Sequence, residues 1–189
     1  MDRVRTDYVI ALGGNLPDYV RSSLAIVGSV PAVFKEKGQL VRFVSRFFLT
    51  QSYPLGSGPD FVNAVMVVQS SLGSHEMMNL CHVIEKRFDR QRSTRWAPRT
   101  LDLDIIAQGP KVMPNREEQD LWRTLSAHQQ TERAPDDLIL PHPRMQDRAF
   151  VLVPMCDVCP EWVHPVLQRS ARALCGDLPA QDLDGVRAL

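Results

Sequence analysis

Lysine is scarce in this chain. Four lysines (Lys35, Lys37, Lys86, Lys111) stand against eighteen arginines in 189 residues. There is also no net charge, with 22 basic side chains balanced by 22 acidic ones. That balance excludes a surface that coats nucleic acid or membrane all over, while leaving room for a local basic patch. No apolar run approaches the ~18 residues of a membrane-spanning helix. The run from Tyr8 to Leu12 is too short for a signal-peptide core, so a cytoplasmic location is expected. The four cysteines are scattered and do not suggest a disulfide framework. No GxxxxGK[ST] is present, and Gly13-Gly14 lacks the spacing of a Gly-rich phosphate loop. Any ATP must therefore be held by side chains and metal. No Ser/His/Asp or Cys/His constellation stands out, which argues against a covalent intermediate.

What is present is an ordinary globular composition, 44% hydrophobic and 23% charged, with the length of one domain. The expected organisation is one domain over 1–189, with a polar insertion or lid at 109–137 and a C-terminal extension at 166–189. Asp7–Gly13 reads as a buried strand, and the glycines after it as a sharp turn using positive φ. Residues 18–37 read as a helix with Val20, Leu24 and Val27 inward and Pro31 as a possible break. Leu40–Leu49 and Phe61–Gln69 read as two strands joined by a Pro/Gly-rich loop. A helix is predicted from an N-cap at Ser74 to Asp89, a strand over Leu101–Ala107, a helix over 116–125 and another over 150–158. One or two short helices follow Pro165. The order βαββαβ predicts an α+β sandwich of the ferredoxin-like kind, an antiparallel sheet with helices on one face.

The stretch Arg90–Asp104, RQRSTRWAPRTLDLD, carries the most chemistry. Residues i and i+2 of a strand share a face, so Leu101 and Leu103 enter the core while Asp102 and Asp104 converge. Paired carboxylates repel unless a cation lies between them, and such a pair suits Mg²⁺ bound together with substrate phosphates. A solvated strand face is the alternative. Beside the pair, Lys86, Arg87, Arg90, Arg92, Arg95 and Arg99 put six positive charges into fourteen residues. Arginines next to a Mg²⁺-binding acidic pair meet the needs of polyphosphate transfer. Phe61 and Asn63 share a strand face, and an aromatic plane with an amide can stack on and hydrogen-bond a flat heterocycle. Cys156-Asp-Val-Cys159 has the spacing of half a zinc site but lacks a second half, so a buried helix face is the better reading.

RWAPRTLDLDI, PHPRMQDRAF, GGNLPD and PDFVNA together resemble the 6-hydroxymethyl-7,8-dihydropterin pyrophosphokinase family, from Tyr8 to about Pro165. The resemblance implies transfer of diphosphate from ATP to the hydroxymethyl group of a dihydropterin, with AMP released, two Mg²⁺ ions and a ferredoxin-like fold. It implies that Asp102 and Asp104 are the metal ligands and that Arg99 contacts the ATP phosphates. It puts Arg90, Arg92, Arg95 and Trp96 on a loop closing over both substrates. It makes Phe61 and Phe150 the aromatic pair around the pterin, Asn63 the amide reading its edge, and Thr50 part of the pocket. His142 and Arg148 match ATP-binding residues, and His82, Glu85 and Ile105 match positions on the nucleotide side. Gly14 replaces the family's Ser, Pro17 a Gly, and Gln51 a Pro, while Asp89 and Ala97 replace glycines. The implied partners are ATP and the dihydropterin alone, with no nucleic acid or membrane, and a monomer is expected. Two other readings stay open: a ferredoxin-like RNA-binding module, and a catalytically inactive relative of the family.

Overall fold

The computed structural model describes residues 4–16, 20–52, 58–88 and 100–189. Its strands are β1 (Thr6–Gly14), β2 (Leu40–Val44), β3 (Phe48–Thr50), β4 (Phe61–Ser70), β5 (Asp102–Gln108) and β6 (Val186–Ala188). Its helices are α1 (Val20–Glu36), α2 (Ser74–Arg87), α3 (Arg116–Arg123), α4 (Ala127–Glu132), α5 (Ala149–Val158), α6 (Ala171–Gly176) and α7 (Ala180–Asp184). The sheet runs β5-β1-β4-β3-β6, with β2 also on β4, and every pairing is antiparallel. With β2 and β3 counted as one interrupted strand, this is the expected βαββαβ order.

β4 is the central strand, and its near-continuous apolar sequence is what burial on both faces requires. Tyr8, Ile10 and Leu12 of β1, Val62, Ala64 and Met66 of β4, and Leu103 and Ile105 of β5 pack on Val27, Val30 and Phe34 of α1 and Met77, Cys81 and Ile84 of α2. The opposite face carries a second core. There Val9, Val65 and Ile106 meet Val151, Leu152 and Met155 of α5, backed by Ala171 and Leu174 of α6. Helices therefore cover both faces, not one. The almost wholly apolar α5 is the reason, since a helix lacking a polar stripe must be buried between layers.

Four other expectations change. Leu40–Leu49 is interrupted because Ser45 displaces the ladder: its N–H donates to Val65 O at 2.8 Å and its hydroxyl accepts from Val65 N at 2.9 Å. The pairing with β4 shifts by one residue across this break, as a bulge does. α2 begins at Ser74 rather than being capped by it; Gly73 precedes the helix and its N–H donates to Glu76 Oε2 at 2.5 Å. The 109–137 segment holds two helices, α3 and α4, where one was expected. The tail supplies α6 and α7 as expected, and also a sheet strand, β6, too short and too ordinary in composition to stand out. Pro31 lies within α1 without splitting it.

Candidate active site

Most of the described site candidates gather on the α5 face, at the end of the sheet where β1 stops. β1 remains extended through Gly13 and Gly14, and neither glycine has a positive φ. Their value is the missing Cβ. At Gly14 a Cβ would lie 2.8 Å from Thr100 O, and at Gly13 it would lie 3.3 Å from Asn63 Oδ1. Gly13 pairs with Asn63 on one side and with Asp102 on the other, so it is the bare floor between the amide and the first carboxylate. Ala11, one step along that face, pairs with Asp104.

Strand alternation splits β5 as its sequence predicts. Leu103 is 6% exposed in the α1/α2 core, while Asp102 and Asp104 are only half-buried on the other face. Glu85 fixes the strand from behind. It is 2% exposed on α2, and its carboxylate accepts from Leu103 N at 2.9 Å, between the two aspartates. Glu85 thus holds the β5 backbone between the two aspartates. Ile105 is a core side chain, and His82 is half-buried on α2.

On the far side of β5, His142 N donates to Ile106 O at 2.8 Å and so ties the segment before α5 to the strand. Arg148 is the residue immediately before α5, and its guanidinium does three things. Nη1 lies 3.5 Å from Asp104 Oδ2 and 3.5 Å from His142 Nε2, and the group stands over the Phe150 ring at 5.6 Å. Burial, then the charges of Arg148 and Arg144, hold His142 well below the ordinary imidazole pKa, so it is neutral near pH 7. Its Nδ1 accepts from Arg144 N at 3.1 Å, which leaves the proton on Nε2. His142 and Arg148 therefore present two donors side by side, a fitting arrangement for phosphate oxygens.

At the other end of the face, Asn63 is 5% exposed, and its Nδ2 donates to Thr50 Oγ1 at 2.7 Å. Phe61 pairs with Thr50 across β3–β4 and lies on the same face as Asn63. Phe150 is 38% exposed at the start of α5. The structure thus brings Thr50, Phe61, Asn63, Asp102, Asp104, His142, Arg148 and Phe150 to one face of the sheet or its rim. Arg90, Arg92, Arg95, Trp96 and Arg99 lie outside the described residues. Sequence reasoning missed Gly13 as part of the site; the signal was the glycine pair ending a buried strand. The two aspartates are hard, partly exposed oxygen donors beside an existing cationic partner, a set that fits Mg²⁺ held jointly with phosphates. Among the described residues, no cluster of three or more His, Cys, Asp or Glu could hold a metal, so the aspartate pair would need phosphate oxygens to complete a metal site. Cys156, in the last turn of α5, and Cys159, just after that helix, are free thiols of intermediate exposure rather than a fully buried helix face, and burial pushes the pKa of each up to about 12. No described helix is long and apolar enough to cross a membrane.

Residues 9–160 match the family model described as 7,8-dihydro-6-hydroxymethylpterin-pyrophosphokinase. A 2-amino-4-hydroxy-6-hydroxymethyldihydropteridine pyrophosphokinase of Pseudomonas aeruginosa is 32% identical over 185 residues, covering 95% of this chain and 94% of that protein. The protein of the same name from Bacillus subtilis is 34% identical over 153 residues, covering 79% and 76%. In fold, the chain resembles a crystal structure of Plasmodium falciparum HPPK-DHPS A437G with pteroate, with a TM-score of 0.64 at 13% identity. That likeness covers 93% of this chain but 43% of the larger protein. With its fold and its paired carboxylates in view, the chain belongs to the 7,8-dihydro-6-hydroxymethylpterin-pyrophosphokinase family.

Proposed function

We propose that the α5 face of the sheet transfers diphosphate from ATP to the hydroxymethyl group of 6-hydroxymethyl-7,8-dihydropterin, releasing AMP. The observation that carries the assignment is the single row Asn63–Gly13–Asp102, which puts an amide suited to a flat heterocycle next to carboxylates suited to a metal–phosphate complex. Phe61 and Phe150 take the pterin faces, Asn63 reads its edge, and Thr50 steadies Asn63. Asp102 and Asp104 would hold two Mg²⁺ ions, which when bound screen the triphosphate and polarise its β-phosphorus.

Neutral His142 and Arg148 donate to phosphate oxygens. The pterin hydroxyl oxygen attacks the β-phosphorus, the bond from that phosphorus to the α,β-bridging oxygen breaks, and AMP leaves with that oxygen. The hydroxyl proton passes to solvent. Arg90, Arg92, Arg95, Arg99 and Trp96 are assigned to charge neutralisation and closure over the substrates. Of the two remaining nucleotide-side candidates, Ile105 would act through its backbone, since its side chain lies in the α1/α2 core, and His82 would act from α2.

The test is product analysis with ATP, the dihydropterin and Mg²⁺. AMP and a diphosphorylated pterin in equal amounts, both dependent on Mg²⁺ and on the pterin, support the proposal. ADP as the nucleotide product, or no turnover, contradicts it.

A further inference from the structure

We propose that the C-terminal strand β6 is a positioning element of the pterin side of the site. It holds β3, and through Thr50 the Asn63 carboxamide, in register. The inference rests on the site assignment just made.

β3 has three residues and leads directly into the loop that precedes β4. So short a strand, left as an edge, frays readily. β6 closes that edge, pairing Thr50 with Val186, Leu49 with Arg187 and Phe48 with Ala188. It lies outside the family-matched residues 9–160. In this register Val186 falls on the face shared by Thr50, Phe61 and Asn63. Any slip of β3 would move the Thr50 hydroxyl, which accepts from Asn63 Nδ2 at 2.7 Å.

The ladder supplies its own control. Leu189 N donates to Phe47 O at 2.9 Å, so Phe47/Leu189 is a hydrogen-bonded pair. By antiparallel alternation the pair two residues along, Leu49/Arg187, is hydrogen-bonded too, whereas the N–H groups of Val186 and Ala188 face away from β3. Proline at 187 therefore removes a bond to β3, and proline at 188 removes none.

The experiment compares Arg187→Pro with Ala188→Pro, using Arg187→Ala to control for the lost charge. Pterin affinity, ATP-analogue affinity and the Asn63 side-chain amide NMR signal are read for each. Arg187→Pro should bind pterin about tenfold more weakly, keep its ATP affinity, and shift or broaden the Asn63 signal. The other two should match wild type. A purely structural role would lower both affinities together. Wild-type pterin affinity with an unmoved Asn63 signal in Arg187→Pro overturns the proposal, as does equal damage from Ala188→Pro. Should Arg187→Pro not fold, a chain ending at Gly185 puts the same question through the same three readouts. If wild type itself binds no pterin, the site assignment has failed, and the Asn63 signal still decides whether β6 positions that residue.

Discussion

The two faces of the sheet share their strands and differ in nearly everything else. On the α1/α2 face, side chains from β1, β4 and β5 form one closed apolar core. On the α5 face a second core fills the middle, then gives way at one end to Asn63, Asp102, Asp104 and the Arg148/His142 donors. Because burial alternates strictly along β5 from Asp102 to Ile105, adjacent residues of one strand serve opposite purposes. Asp104 faces the proposed site and Leu103 the α1/α2 core. The lesson is that stability and activity can be separated here by moving one residue.

The largest separation should come from Asp104→Ala. Mg²⁺-dependent turnover falls by at least about a hundredfold, while the melting temperature stays near wild type because the side chain is half-exposed. A comparable loss of stability would break the distinction. Leu103→Ala should do the reverse. It costs about 2–5 kcal/mol in denaturant unfolding, with turnover per folded molecule little changed.

Acid should act through a third place. His164 is fully buried, its Nδ1 accepts from Val166 N and Leu167 N, and burial followed by the Arg123 charge lowers its pKa to about 4. The unfolded chain takes up that proton near pH 6.5, and the folded chain refuses it until about 4. Stability is therefore greatest above 6.5 and declines as pH falls to 4, by about 3 kcal/mol. His142, depressed in the same direction, adds to the slope. Stability measured against pH should show a shallower slope in His164→Gln, and an unchanged slope would remove His164 from the account. The smallest effect sharpens the comparison most. Glu85 lies on the α1/α2 side but bonds Leu103 N, so Glu85→Ala should lose about 1–3 kcal/mol and also part of the turnover, unlike either neighbour.

How much of this was legible in the residues follows from range. The LDLDI alternation declared both the strand and the shared face of its carboxylates, since both are set by backbone geometry within five residues. The apolar runs gave β1 and β4 on the same grounds. The Ser45 break was hidden, because it depends on a side-chain bond to Val65, twenty residues away. The role of Glu85 was hidden likewise, since its partner becomes a neighbour only when α2 docks on β5. The glycines misled in kind. A glycine pair has the same letters whether it supplies positive φ or bare floor, and only the nearness of Asn63 and Thr100 tells which. β6 was invisible because its three residues gain meaning from the edge they cover.

The central claim is that the two carboxylates of β5 jointly hold metal on the α5 face, and Mn²⁺ binding tests it directly. Mn²⁺ is titrated, as a spectroscopic stand-in for Mg²⁺, into wild type and the double variant Asp102→Asn/Asp104→Asn with a non-hydrolysable ATP analogue present. The account predicts at least tenfold weaker Mn²⁺ binding by the variant, with its melting temperature preserved. Undiminished Mn²⁺ binding by the variant would contradict it.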